Sequence, residues 1–247
     1  MRITTIVSPL LDENCHVVAT DSDPGALIVD PGAKTAARVA QLMDRSGLRP
    51  VAILLTHGHQ DHVWDAVRLA ERYGVEIHIH PADRFFLEDP LGALGFMGAG
   101  IRALLVSHGV SPHWRPPREV QAIETGADGS GELTLGPLRL AACHAPGHSP
   151  GSTVFEVSPA QGAPPGQPGQ PASSAQTPIL LTGDVLFAGG IGRTDLPGGS
   201  DARMRTSLRA VADRFDHAAP VYPGHGPDSV LGVEVTANPY LRAAIVG

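Results

Sequence analysis

Val51-Ala52-Ile53-Leu54-Leu55-Thr56-His57-Gly58-His59-Gln60-Asp61-His62 sets a short apolar run directly against four imidazole or carboxylate side chains within six residues. An apolar run of this length, ending at polar and glycine residues, reads as a buried strand. Imidazole and carboxylate are the ligands that borderline cations prefer, and neither is comfortable buried without a partner. On a helix, His57 and His59 would point roughly opposite ways, unlike a pair four residues apart. A strand that frays into a loop puts them on one side, and Gly58 allows a positive φ there. The stretch predicts a metal site at a strand end.

Strand and helix signals continue outward. Short strands are expected at Arg2–Val7, Cys15–Ala19 and Ala26–Val29, the last ending at the turn signal Asp30-Pro31-Gly32. Thr35–Ser46 has helical apolar spacing and stops at Gly47, and a helix is expected from about Asp61 to Tyr73, closed by Gly74. Val75–His80 alternates like a strand, and Pro81 opens a short helix. Asp89–Pro117, rich in Gly and Pro, reads as a loop that either covers a site or is a tolerated insertion. Two to four short strands between Glu119 and Cys143, then Thr153–Val157, Ile179–Leu181 and Pro220–Tyr222, continue the β pattern. Ala202–Phe215 and the end from about Pro239 are helical in spacing. Residues 1–247 thus read as one α/β domain of two packed sheets with helices outside, carrying a disordered loop insertion at about 158–177.

Composition narrows the function classes. Eighteen basic against twenty-five acidic residues give a formal charge of -7, and no basic run appears, so no nucleic-acid partner is expected. No apolar stretch approaches the roughly 18–20 residues that span a bilayer, so no membrane partner is expected either. The first residues are too polar for a signal peptide, and with only Cys15 and Cys143 a disulfide framework is not expected, which makes the cytoplasm the default location.

Three isolated positions repeat the context of the opening stretch. His148 follows Leu138–Ala142 in a Pro-Gly turn, Asp184 follows Ile179-Leu180-Leu181-Thr182-Gly183, and His225 follows Val221-Tyr222-Pro223-Gly224. With His57, His59, Asp61 and His62 these make five His and two Asp, too many for one tetrahedral ion and suited to two cations sharing a carboxylate. The absence of neighbouring Cys ligands argues against a closed structural zinc site.

This set resembles the signature of the metallo-β-lactamase superfamily, across essentially the whole chain. The resemblance implies a four-layer αβ/βα sandwich with a dinuclear site at one edge. It implies that His57, His59 and His148 hold the first metal, that Asp61, His62 and His225 hold the second, and that Asp184 bridges. Gly183-Asp184-Val185-Leu186-Phe187 through Gly192-Arg193-Thr194-Asp195-Leu196-Pro197-Gly198-Gly199, and Asn238-Pro239-Tyr240-Leu241, are similar to glyoxalase II and its short bacterial relatives. Those relatives lack the C-terminal helical domain that binds glutathione in the long enzymes, which leaves the thiol carrier open. The resemblance therefore implies a hydrolase that cleaves a small-molecule thioester with a metal-bound hydroxide, Asp61 both ligating and orienting the nucleophile. Two divalent ions are implied, zinc first, with iron and manganese as alternatives. Arg193, at the position of a substrate-binding Lys, would grip a carboxylate.

Competing functions share the scaffold. Persulfide dioxygenases resemble glyoxalase II and use one iron at positions matching His57, His148 and Asp184, and a lactonase would use the same attack on an ester. The class B β-lactamases nearest this pattern commonly carry Arg at the position of His62. Of the remaining histidines, His78 and His80 read as structural, and His16, His108, His113 and His217 as solvated. Neither the spacing nor the family motif requires His144. Cys143 reads as a small buried apolar residue.

Overall fold

The computed structural model describes residues 1–160 and 177–246. Six strands form the first sheet in the order β1 (Arg2–Val7), β2 (Asn14–Ala19), β3 (Gly25–Val29), β4 (Arg49–Leu54), β5 (Ile77–Ile79) and β6 (Gln121–Ala122). The second sheet runs β12 (Ser229–Val230), β11 (Pro220–Pro223), β10 (Ile179–Gly183), β9 (Thr153–Pro159), β8 (Leu138–His144) and β7 (Ser130–Leu135). Both sheets are mixed: β3–β4–β5–β6 pair in parallel, as do β10 and β11, and the other neighbours are antiparallel.

The period of two along a strand sorts the core into layers. On β3, Leu27 and Val29 face the second sheet and pack with Leu138, Leu140, Phe155 and Leu181. Ala26 and Ile28 face the other way, against Val39 and Met43 of α1 (Ala36–Ser46) and Leu69 of α3 (Ala66–Tyr73). The outer face of the second sheet, through Val154, Leu180 and Val221, packs on Met204, Leu208 and Val211 of α5 (Asp201–Arg214) and Leu241 of α7 (Pro239–Val246). Coverage on both faces explains why β2 and β3 are buried at every residue. The expected αβ/βα sandwich is present.

Several local expectations need correction. The helix expected over Asp61–Tyr73 is broken into α2 (Gln60–Val63) and α3. Asp65 leaves helical geometry between them, and its carboxylate accepts a 2.8 Å hydrogen bond from the Ala36 amide that opens α1. Asp89–Pro117 is not a bare loop. It contains a 3-10 turn at Gly92–Met97 and α4 (Gly98–Ser107), because Leu91 and Leu105 bury against Leu10 and Ala33. A further helix, α6 (Leu231–Ala237), follows β12. Of the insertion expected at 158–177, residues 161–176 lie outside the described residues, while β9 runs on through Pro159.

Candidate metal centre

Five strands end at one edge of the sandwich, and each hands over a polar residue at or just beyond its last position. β4 leads to His57, β8 to His148, β10 to Asp184 and β11 to His225, while β3 leads to Asp30. His57 and His59 come to one side, as a fraying strand requires, with ring centroids 4.8 Å apart. Gly58 does not adopt the positive φ expected of it. Its need is space: a Cβ there would lie 2.7 Å from Phe86 Cβ. Gly224 answers to the same demand, since a Cβ would fall 2.3 Å from Asp184 Oδ1 and 2.7 Å from His62 Cε1.

Three groups of donors emerge, each with one ligand atom per residue and all atoms within 4.8 Å of one another: His57 with His59 and His148, Asp61 with His62 and His225, and Asp30 with His57 and His62. The first two are the sets that the family resemblance implies. Asp184 lies between them. Its Oδ2 is 3.5 Å from His148 Nε2 and 3.6 Å from His225 Nε2, and its Oδ1 is 3.4 Å from His62 Nε2. Asp61 Oδ2 is 3.5 Å from His225 Nε2. All seven sequence-predicted ligands therefore converge.

Hydrogen bonds behind the rings decide which nitrogen faces inward. Thr56 Oγ1 donates to Asp30 Oδ2 at 2.6 Å, so at 3.1 Å it accepts from His57 Nδ1. His148 Nδ1 donates to the Arg193 carbonyl at 2.8 Å, and His225 Nδ1 to the Leu11 carbonyl at 3.0 Å. His62 Nδ1 is 3.1 Å from Asp30 Oδ2. Four Nε2 atoms are thus turned toward the same space, the arrangement that outer carboxylates and carbonyls impose on metal-binding histidines. His57 Nε2 and Asp184 Oδ1 are buried with no hydrogen-bond partner, and His59 turns its Nδ1 inward, 2.7 Å from His148 Nε2. Converging lone pairs beside a carboxylate, with donors of this type, fit divalent cations.

Electrostatics agree with the geometry. Burial drives the His57 pKa well below its ordinary value, reinforced by His62 and His148. Burial and His148 take His59 down to about 3. Both rings are therefore neutral ligands at neutral pH. For His62 burial opposes charge, but the carboxylates of Asp184, Asp30 and Asp61 outweigh it and hold its pKa well above the usual value. Burial also works against ionising Asp184, and His62, His148 and His57 overcome it, so its pKa lies well below the carboxylate range. Asp61 is lowered likewise: burial opposes, and His225 and His62 prevail.

Several site residues escaped the sequence reading. Asp30, at a φ of 47°, accepts from the Thr56 amide and hydroxyl and faces His62. Asp83 is fully buried and joins two ligand loops: it accepts from the Gly58 amide at 2.9 Å, the Gly151 amide at 2.6 Å and Ser149 Oγ at 2.6 Å. Glu13 is fully buried, its two oxygens without partners, and burial, only partly offset by His62, raises its carboxyl pKa well above the usual value. Asp30-Pro31-Gly32 was visible as a turn signal. Asp83 and Glu13 carried no pattern.

Arg193 lines the cleft beside the clusters, yet its fork is engaged. Nε and Nη2 donate to the two oxygens of Asp195 at 2.7 and 2.8 Å, so a substrate carboxylate would have to displace Asp195. Its carbonyl, not its guanidinium, orients a ligand. Elsewhere, His16 is not solvated: it is buried, with Nδ1 3.1 Å from Thr5 Oγ1 and Nε2 3.0 Å from the Pro223 carbonyl. His80 stacks on His144 at 3.9 Å, His108, His113 and His217 are exposed, and Cys143 is buried.

The sequence pattern of the Metallo-beta-lactamase superfamily matches residues 9–160. The chain belongs to that superfamily. Within it, an uncharacterised protein of Mycobacterium tuberculosis is 37% identical over 245 residues, with 98% of each chain covered. The hydroxyacylglutathione hydrolase GloC of Haemophilus influenzae is 31% identical, covering 98% of this chain and 99% of its own. Among solved structures, the BLEG-1 B3 metallo-beta-lactamase superposes with a TM-score of 0.74 at 30% identity, over 97% of this chain and 99% of that one. TTHA1623 in a di-iron-bound form gives 0.69 at 30% identity, over 96% and 99%. Family membership and the two donor clusters together make the protein a metallo-hydrolase of this superfamily with a divalent-metal site.

Proposed function

We propose that this metallo-hydrolase cleaves thioesters, in the manner of a short glyoxalase II. His57, His59 and His148 would hold one cation, Asp61, His62 and His225 a second, with Asp184 between. Bound cations supply Lewis acidity and lower the pKa of water from about 15.7 toward 7. Hydrolysis forms a C–O bond, breaks the C–S bond, and releases a carboxylate and a thiol. Asp61, an anion at the floor of the cleft, is placed to accept a hydrogen bond from the attacking water. Asp30, the Leu11 carbonyl and the Arg193 carbonyl keep His62, His225 and His148 turned inward. A cleft of about 320 Å³ opens over this floor, a size that supports a small-molecule substrate.

The observation that carries the reading is the convergence of seven ligands around Asp184. The likeness of the 183–199 stretch to glyoxalase II, and the relative named GloC, support the thioester. Zinc is the first candidate, and the di-iron-bound relative supports iron as the alternative. The cytoplasm is the compartment we propose, since no helix among the described residues is by itself long and apolar enough to cross a membrane and the two cysteines are free. Elemental analysis of the purified protein, beside a thiol-release assay on a panel of acylthiols, tests the proposal. Two metals and thiol release are expected. Full metal loading with no thiol release overturns it, and oxygen uptake with a thiol persulfide, or turnover of lactones alone, would replace it with the corresponding activity.

A further inference from the structure

We infer, resting on the thioester reading above, that one arm of the substrate is an uncharged hydrocarbon chain, acyl or thiol, seated against Leu94, Met97 and Ile101. A peptide thiol carrying carboxylates does not suit this cleft. The argument begins with the segment that forms one wall. Gly92 through Ser107 contains a single charged residue, Arg102, which is exposed and does not line the cleft. One face of the segment is anchored to the body, where Leu91 and Leu105 bury with Leu10 and Ala33. The other face presents Leu94, Met97 and Ile101 to the cleft, and Leu11, Phe187 and Leu196 line it as well. The anchoring makes this wall preformed, so a hydrocarbon arm gains apolar burial with little ordering cost.

Charge points the same way. Asp61 and Asp184 at the floor are taken up by the cations of the proposed function, and among the described lining residues the one Lys or Arg is Arg193. Its Nε and Nη2 are paired with Asp195, so a substrate carboxylate would have to compete with that ion pair. Free carboxylates of a thiol seated against Leu94, Met97 and Ile101 would lose hydration with no cationic side chain on that wall to replace it. The apolar character also continues past the rim: Phe96, next to Met97, is 89% exposed. A hydrocarbon longer than the cleft would meet that ring.

Two substrate series on the metal-loaded protein test this. One lengthens the acyl group from acetyl to decanoyl on the uncharged thiol N-acetylcysteamine. The other keeps acetyl and lengthens an alkanethiol. A rise in kcat/KM of roughly threefold to fourfold per methylene is expected in one series until the cleft is full, which also assigns the arm. The acetyl thioester of N-acetylcysteamine is expected to outrun that of glutathione. Ile101→Gln and, as a second surface-side variant, Met97→Gln should each flatten the length dependence. Two flat series, or preference for the glutathione thioester, overturn the inference while leaving thioester hydrolysis intact. If no acylthiol is cleaved, the thioester reading fails instead, and calorimetric titration with straight-chain carboxylates decides the cleft: affinity rising with length sustains the hydrocarbon arm, and length-independent affinity overturns it.

Discussion

The two ligand clusters share Asp184 and differ in nearly everything else. His57, His59 and His148 are all buried and bring no carboxylate of their own. Burial leaves His57 and His59 neutral. Asp61, His62 and His225 form a cluster that is partly open, with a carboxylate inside it and Asp30 behind His62. The first is a dry nitrogen site whose shape is fixed by packing, and the second is a wetter, charge-rich site whose donors are held by ion pairing. A cation in the first must be neutralised chiefly by Asp184. One in the second draws on Asp61 as well. The clusters should therefore differ in affinity and in what disturbs them.

The largest effect separates them directly. His57→Ala removes a buried ligand from the first cluster and should lower kcat by roughly three orders of magnitude or more, with loss of about one metal equivalent. His225→Ala, at the open cluster, should also lose one equivalent but retain the other. Metal stoichiometry read beside kcat checks both. If either variant sheds both metals, the clusters are not separable and the comparison breaks.

A smaller effect comes from the groups behind the ligands. Asp83 joins the His57–His59 loop to the His148 loop through the Gly58 amide, the Gly151 amide and Ser149. Asp83→Ala strands these donors in the interior and should cost about 2–4 kcal/mol of stability, read by chemical denaturation, with Asp83→Asn recovering part of it. Asp30→Asn acts directly on the other cluster, through His62, and reaches His57 only by way of Thr56. It removes the charge facing His62 and should weaken metal affinity there by about ten- to a hundredfold, with a smaller stability change. Equal stability losses in the two variants would mean that both clusters are held in the same way.

These two aspartates also show where sequence reading stopped. The ligands were legible because each is a residue of unmistakable chemistry placed after an apolar strand, and His57 through His62 concentrates four of them. The sheets were legible through short apolar runs closed by turn signals, such as Ala26–Val29 before Asp30-Pro31-Gly32. What holds the ligands was not. The Leu11 and Arg193 carbonyls act through the main chain, which every residue possesses, so no side-chain pattern can announce them. Asp83 lies far in sequence from Gly151, and only the tertiary fold makes them partners. The 92–107 wall was misjudged for a related reason: its glycines read as loop, while burial of Leu91 and Leu105 supplies what helix propensity lacks.

The smallest effect concerns the backing of the dry cluster. His80 stacks on His144 at 3.9 Å, close in sequence to Asp83 and His148 respectively. Burial, reinforced by His144, lowers the His80 pKa to about 4. In the unfolded chain it is near 6.5. Between those values the unfolded chain binds a proton that the folded chain refuses, so stability is complete above about pH 6.5 and is lost as pH falls toward 4. The loss should be about 1–2 kcal/mol, discounted for the side of the pair that faces water. His80→Gln should flatten the acid limb of the denaturation profile over that window, measured with chelator present so that metal release does not enter. Behind the open cluster, Asp30 and the Leu11 carbonyl hold His62 and His225, and His16, its pKa lowered by burial, lies against the Pro223 carbonyl. An unchanged acid limb in His80→Gln would remove the His80–His144 stack as a source of acid sensitivity and leave His16, behind the open cluster, and the ligands themselves as its sources.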